Sequence, residues 1–228
     1  MNPPLHLISS MATRSLLDEL AAAYQQALNQ PLRVEAVGGV DAARRVQARE
    51  VFDLVVLAAG AIDTLIEAGR VVAGRVDLVR SGVAVAVRAG APHPDIGSEA
   101  AVRQAVLEAR SVGLSTGPSG VQLAALFERW GIAGQIADRL VTAPPGVPVG
   151  TLVARGEVEL GFQQLSELMH LEGIEVLGEL PPAIQIVTTF SAGLAASSTQ
   201  AGPARALLEH LASPATAEVK RRHGMEPA

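Results

Sequence analysis

Three short segments carry small hydroxyl residues or glycines just after an apolar run and just before a stretch of helical period. They are Ser9-Ser10-Met11-Ala12-Thr13, Gly38-Gly39-Val40-Asp41 and Ser115-Thr116-Gly117-Pro118-Ser119-Gly120. Where a buried strand gives way to a helix, the first N–H groups of the helix lack intrahelical partners and that end carries a partial positive charge. Small residues and hydroxyls let an anion come close to those N–H groups. The chemistry on offer is recognition of a small anion by hydroxyl and backbone N–H donors. Ser10, Asp41 and Ser119 also suit helix N-caps or turns, a role in which each side chain would be used by its own backbone.

Other site chemistries lack their residues. The chain has no cysteine and a single lysine, Lys220. Thiolate nucleophiles, Cys-ligated metals and a phosphate loop ending in Gly-Lys-Ser or Gly-Lys-Thr are therefore excluded. No Gly-x-Gly-x-x-Gly follows a strand, and Gly117-Pro118-Ser119-Gly120 has the wrong offset for a nucleophile elbow. His6, His93, His170, His210 and His223 show no metal-ligand spacing, so neither metal nor cofactor is expected. The aromatics Tyr24, Phe52, Phe127, Trp130, Phe162 and Phe190 are scattered and form no stacking platform for bases or sugars. A net charge of -5 offers no footprint for nucleic acid or anionic lipid.

What must position the three segments is an alternation of strands and helices. With 49% hydrophobic and 18% charged residues the chain has the apolar surface to fold. Short β-branched runs separated by amphipathic stretches are the pattern of α/β architecture. Leu5–Ser10, Leu32–Val37 and Asp53–Ala58 read as strands, with helices over 15–26, 42–49 and 62–68; Arg44, Arg45 and Arg49 fall on the wet side of the second helix. Further on, helices are expected over 99–109, after Pro118 and over 149–155, and strands over 112–115, 159–163 and 174–177. Two longer runs, Gly82–Arg88 and Ile184–Phe190, bracket the middle of the chain. A chain leaving one lobe by the first and returning by the second builds two lobes, residues 1–84 with 189–228 and residues 85–188. No apolar run approaches the roughly 20 residues that span a bilayer. The opening Met1-Asn2-Pro3-Pro4-Leu5-His6 has no basic stretch and no apolar run long enough for a signal peptide, so the expected location is cytoplasmic, or periplasmic if a leader has been removed.

Taken in order, several motifs resemble the periplasmic molybdate-binding protein family of type 2 solute-binding fold. They are Ser9-Ser10 before an amphipathic helix, Val37-Gly38-Gly39-Val40-Asp41-Ala42-Ala43-Arg44, Phe52-Asp53-Leu54-Val55-Val56, Ile66-Glu67-Ala68-Gly69, Gly117-Pro118-Ser119-Gly120, Leu160-Gly161-Phe162 and Leu211-Ala212-Ser213-Pro214. The resemblance covers nearly the whole chain. It implies two α/β lobes with mixed sheets, flanking helices and two crossover strands, closing on a small anion held without counter-cations. It also implies an ABC-transporter permease as partner. Carried over by position, Ser9 or Ser10 matches the first-lobe serine, Ser119 the N–H donor after proline, and Gly146 or Val147 the donor opening the next helix.

Two positions depart from the family's pattern. The hydroxyl residue expected after Gly39 is Val40, and the tyrosine expected after Gly161-Phe162 is replaced by Gln163-Gln164. A small tetrahedral dianion needs every donor of a tight shell, so these losses argue against molybdate and toward a carboxylate ligand. Gln163 and Gln164 can donate to carboxylates, and Arg80, Arg88 or Arg14 can supply a bidentate fork. The sequence also resembles the aconitate isomerases that share this fold, which implies a proton shift along a tricarboxylate. Glu167, His170, His6 and Asp53 are the candidate acid/base groups. A binding protein and an isomerase both remain open at this point.

Overall fold

A computed structural model describes residues 3–228. Met1 and Asn2, which open the segment searched for a leader, lie outside the described residues. The elements in chain order are β1 (Leu5–Ser10), α1 (Arg14–Leu28), β2 (Leu32–Val37), α2 (Gly39–Gln47), β3 (Leu54–Ala58), α3 (Ala59–Glu67), β4 (Val76–Arg88), α4 (Glu99–Glu108), β5 (Val112–Leu114) and α5 (Pro118–Arg129). They continue with α6 (Ala133–Ile136), β6 (Leu140–Thr142), α7 (Val149–Ala154), β7 (Leu160–Gln164), α8 (Leu165–Leu168), β8 (Ile174–Glu179), β9 (Val187–Leu194), α9 (Ala201–Ala212), α10 (Ala217–Arg222) and β10 (Glu226–Pro227). Two compact units result, one from the chain up to Arg80 with Thr189–Ala228, the other from Ser81–Thr188. β4 and β9 each run from one unit into the other.

In the first unit the strand order is β2-β1-β3-β9-β4, with β10 on β4. β1 is parallel to both β2 and β3, whereas β9 is antiparallel to β3. The carboxyl ends of β1, β2 and β3 therefore share one edge of the sheet. Alternation along the strands divides the core into two faces. Leu5, Leu7, Leu54 and Val56 pack with Leu17, Leu20 and Tyr24 of α1 and Leu207 and Leu211 of α9. Ile8, Val55 and Leu57 pack with Ala42 and Val46 of α2 and Ile62 of α3.

In the second unit β4 has antiparallel neighbours β7 and β8, and β5 lies parallel to both β7 and β6. The carboxyl ends of β5 and β7 share an edge, and α5 and α8 start from it. Phe127 of α5 meets Phe162 of β7 edge-on, with centroids 6.2 Å apart, at the centre of this unit's core.

Several boundaries differ from the sequence expectation. β4 begins at Val76, six residues before Gly82, because polar Asp77, Arg80 and Ser81 are accommodated on a strand that β10 flanks. The run Ile184–Phe190 does not form one strand: β9 starts at Val187 and continues to Leu194 through Ser191, Ala192 and Gly193. A Cβ on Gly193 would lie 2.4 Å from Val71 Cγ1, so the strand needs a residue too small to read as β-forming. α2 starts at Gly39, three residues before Ala42. Arg45 is not on a wet face. It pairs with Glu35 at 2.5 Å and Glu50 at 2.5 Å, and its guanidinium lies over Phe52, 5.4 Å from the ring centroid.

Candidate functional site

The first unit gathers one set of donors at the shared carboxyl edge of β1, β2 and β3, where ligands collect in open α/β sheets. β1 ends in Ser9 and Ser10, and the hydroxyls of both are buried with no hydrogen-bond partner. Ser10 occupies the N-cap position of a single 3-10 turn, Met11–Thr13, yet its side chain makes no capping bond. Thr13 Oγ1 donates to the Ser10 carbonyl at 3.2 Å, leaving the Ser10 hydroxyl uncommitted. The helix-cap reading therefore fails for Ser10. Ser9 is fully enclosed at 0% exposure, whereas Ser10 keeps 7%. Ser9 pairs in register with both Ala36 and Val56, while Ser10 pairs with Val37 alone and sits past the end of the β3 pairing. Ser10 thus has the open side.

The start of α2 lies against Ser10: a Cβ on Gly39 would be 3.6 Å from Ser10 Cβ. The N-cap, Gly38, has no side chain to occupy the first-turn N–H groups, and the first backbone bond of the helix is Ala42 N–H to the Gly38 carbonyl at 2.9 Å. The N–H groups of Gly39 and Val40 thus remain at the positive end of the helix. Val40 is 66% exposed and contributes no hydroxyl. Asp41 neither caps the helix nor faces a ligand alone, since Arg44 donates to its Oδ1 at 2.5 Å. A third helix start at this edge escapes the sequence motifs: α3 begins at Ala59 directly from β3, with Ala58 as an uncapped N-cap. Ala59-Gly60 carries no hydroxyl to mark it, and only the immediate strand-to-helix transition gives it away.

The second unit gathers its donors at the carboxyl edge of β5 and β7. Ser119, buried in the first turn of α5, donates from Oγ to Gln164 Oε1 at 3.2 Å and lies 3.3 Å from Ser115 Oγ. Gln164 Nε2 in turn donates to Thr188 Oγ1 at 3.1 Å. Ser119 is not a cap, because Gly117 holds that position. A Cβ on Gly120 would stand 1.8 Å from the Ser115 carbonyl oxygen, so only glycine permits this turn. On the opposite face of β7, Gln163 Oε1 accepts from the Val149 N–H at 2.7 Å and Gln163 Nε2 donates to Glu167 Oε1 at 2.8 Å. Both glutamine amides are thus held by internal bonds, each with one N–H left over.

The next helix opens later than Gly146 or Val147. α7 starts at Val149; Val147 N–H bonds the Pro144 carbonyl at 3.0 Å, and Thr151 N–H bonds the Pro148 carbonyl at 3.0 Å. The Pro148 ring fixes the N-cap, and Gln163 takes the first helical N–H.

The expected arginine fork is not assembled at either edge. Arg80 Nη2 donates to the Pro227 carbonyl at 3.0 Å, out on β10. Arg88 follows the register Ala86↔Gly161 past the amino end of β7, at the opposite edge from Gln164. Arg14, at the start of α1, is exposed and sits 3.7 Å from Asp18.

Of the acid/base candidates, His6 and Asp53 lie at the amino ends of β1 and β3, away from Ser10. Asp53 is a structural clamp: Oδ2 accepts from His6 N–H at 2.8 Å and Oδ1 from Ser198 Oγ at 2.6 Å. His170 is exposed. Glu167 stands apart. It lies three residues past the end of β7, is half-buried, and has no cationic partner among the described residues. Desolvation pushes its carboxyl up to about 7, against the hydrogen bond from Gln163, which lowers it. The single lysine, Lys220, is buried in α10, where desolvation lowers its pKa. No group of three or more His, Asp or Glu residues able to hold a metal occurs among the described residues, and none of their helices is long and apolar enough to cross a membrane.

The sequence is 37% identical over 230 residues to a protein from Pseudomonas sp named aconitate isomerase, covering 98% of this chain and 87% of that one. The fold is shared with the periplasmic molybdate-binding protein of Azotobacter vinelandii, at TM-score 0.80 and 16% identity over 97% of this chain and 98% of that one. It is shared too with the sulfate-binding protein of Mycobacterium tuberculosis, at TM-score 0.77 and 16% identity over 100% and 88%. The α/β architecture with mixed sheets and flanking helices is that of the periplasmic binding proteins. Residues 5–226 match the family described as bacterial extracellular solute-binding protein, and the chain belongs to that family.

Proposed function

We propose that this protein binds a small carboxylate-bearing anion, using Ser10 with the first-turn N–H groups of α2 at the carboxyl edge of β1, β2 and β3. The observation that carries the reading is the Ser10 hydroxyl, buried, uncommitted and beside a helix start with no side-chain cap. A hydroxyl left in that state costs about 1–3 kcal/mol, which a ligand oxygen recovers. Val40 presents apolar surface where a further hydroxyl would serve a tetrahedral oxyanion, and that favours a ligand with a carbon skeleton. Family membership supports work outside the cytoplasm, with a transporter permease as partner. Thermal-shift screening against molybdate, tungstate, sulfate and di- and tricarboxylates tests this: stabilisation confined to carboxylates supports it, and stabilisation by molybdate alone refutes it.

A second reading, isomerisation of a small tricarboxylate, is favoured by the relative named aconitate isomerase, whose similarity covers nearly the whole chain. Incubation with cis- or trans-aconitate followed by chromatography tests it, and a flat trace at high protein concentration refutes it.

A further inference from the structure

We infer that Glu167 is the group that carries the proton in such an isomerisation, with Gln163 as its positioning residue. The inference rests on the isomerase reading and names its acid/base group. Glu167 lies on α8, which leaves the carboxyl end of β7, the edge that also presents Ser119. Its carboxyl is oriented through a fixed relay. Val149 N–H donates to Gln163 Oε1 at 2.7 Å, so the amide cannot flip without losing that bond. Gln163 Nε2 must then face Glu167 Oε1, at 2.8 Å. A donated N–H on Oε1 leaves Oε2 as the oxygen that takes and returns a proton.

The charged residues of the neighbouring elements turn elsewhere. On β8, Glu175 accepts from Gly90 N–H at 2.8 Å and meets His93 at 2.5 Å, while Glu179 lies over Gly82. β7 carries no charged residue. A structural carboxylate acquires a cation or several N–H donors; this one has a single amide donor and a desolvated site. Those conditions keep a carboxylic acid and its carboxylate close in energy near neutral pH.

The step balances with one group. Glu167 carboxylate removes a proton from the methylene carbon of aconitate. The C–H electron pair becomes a new double bond to the central carbon, and the old double-bond pair moves to the former vinyl carbon. Glu167, now the acid, delivers a proton to that carbon and is regenerated as carboxylate. The bond from the methylene to the central carbon is single in the substrate, so the conformation held about it when the proton leaves sets the geometry of the new double bond.

The test compares wild type, Glu167→Gln and Glu167→Asp in three readouts: aconitate interconversion, deuterium incorporation from heavy water into aconitate by NMR, and aconitate affinity by calorimetry. Glu167→Gln is expected to lose about 10²–10⁴-fold in kcat and in deuterium incorporation, with affinity changed much less, and Glu167→Asp to retain part of both. Wild-type kcat is expected to rise with pH through about 7, and Gln163→Leu to move that limb to higher pH by removing the donor that favours the carboxylate. A wild type that interconverts aconitate alongside a Glu167→Gln variant of similar rate overturns the assignment but leaves the isomerase reading standing. A wild type that binds aconitate without converting it overturns the isomerase reading and the assignment together. If Glu167→Gln does not fold, absence of the limb near pH 7 in the wild type overturns the assignment by itself.

Discussion

Replacing Ser10 with alanine is expected to make the ligand-free protein more stable and its ligand complex weaker. The hydroxyl is buried and unpartnered, and a polar group in that state costs about 1–3 kcal/mol. Alanine keeps the Cβ that faces Gly39, so the packing loss is small and a net gain of about 1 kcal/mol follows. For a chain of 228 residues that corresponds to a rise of about 2–4 °C in melting temperature. A hydroxyl donating to a charged oxygen contributes about 1.5–3 kcal/mol, so the same substitution weakens the anion roughly 10- to 150-fold. Ser9→Ala is the internal control. Its hydroxyl is equally unpartnered, but it is wholly enclosed and paired on both sides. It should stabilise the protein and leave the ligand untouched. Differential scanning fluorimetry and titration calorimetry on both variants read the two effects. A Ser10→Ala protein that melts lower, or binds its anion as well as wild type, would refute the reasoning.

Other substitutions separate scaffold from site. Glu167→Gln should change the pH dependence of stability. A carboxyl raised from about 4.5 to about 7 holds its proton more tightly when folded, so wild type loses stability as pH rises through that window. Allowing for its partial exposure, the variant should gain about 1–2 kcal/mol over wild type at pH 8 and about nothing near pH 4.5, measured by urea unfolding. Gly120→Ala sets a Cβ against the Ser115 carbonyl and should destabilise by about 3 kcal/mol or more, seen as a lowered urea midpoint. Asp53→Ala breaks the bonds to His6 and Ser198 and should cost about 2–3 kcal/mol. Because Asp53 lies at the amino edge, calorimetry on the folded variant should find ligand affinity unchanged.

How much of this was legible in the sequence depended on whether a feature was local. β1 is bounded where its apolar run is, because a buried parallel strand writes its burial into consecutive residues, and β2, at the end of the strand order, is bounded by Pro31 and Gly38. β9 was misplaced because Ser191, Ala192 and Gly193 are chosen for close approach to β3 and Val71, a tertiary demand that single-sequence propensity does not register. Arg45 read as solvated because its partners Glu35 and Glu50 come from other segments. At the site, the hydroxyl-bearing junctions were visible, while the start of α3 was not. Gln163 and Gln164 were visible as residue types, but their internal bonds depend on Val149, Ser119, Thr188 and Glu167 being brought together. Glu167 could be named as one acid/base candidate among four, and only its desolvation and its single amide donor separate it from the others.

The central claim is that hydroxyl and N–H donors at the strand edges recognise a small polycarboxylate. Titration calorimetry of the wild-type protein with trans-aconitate, cis-aconitate, molybdate and sulfate under one set of conditions tests it most directly. Saturable 1:1 binding of aconitate that Ser10→Ala weakens at least about tenfold, with molybdate and sulfate much weaker, is the predicted result. Tight binding of molybdate or sulfate with none of aconitate would contradict it.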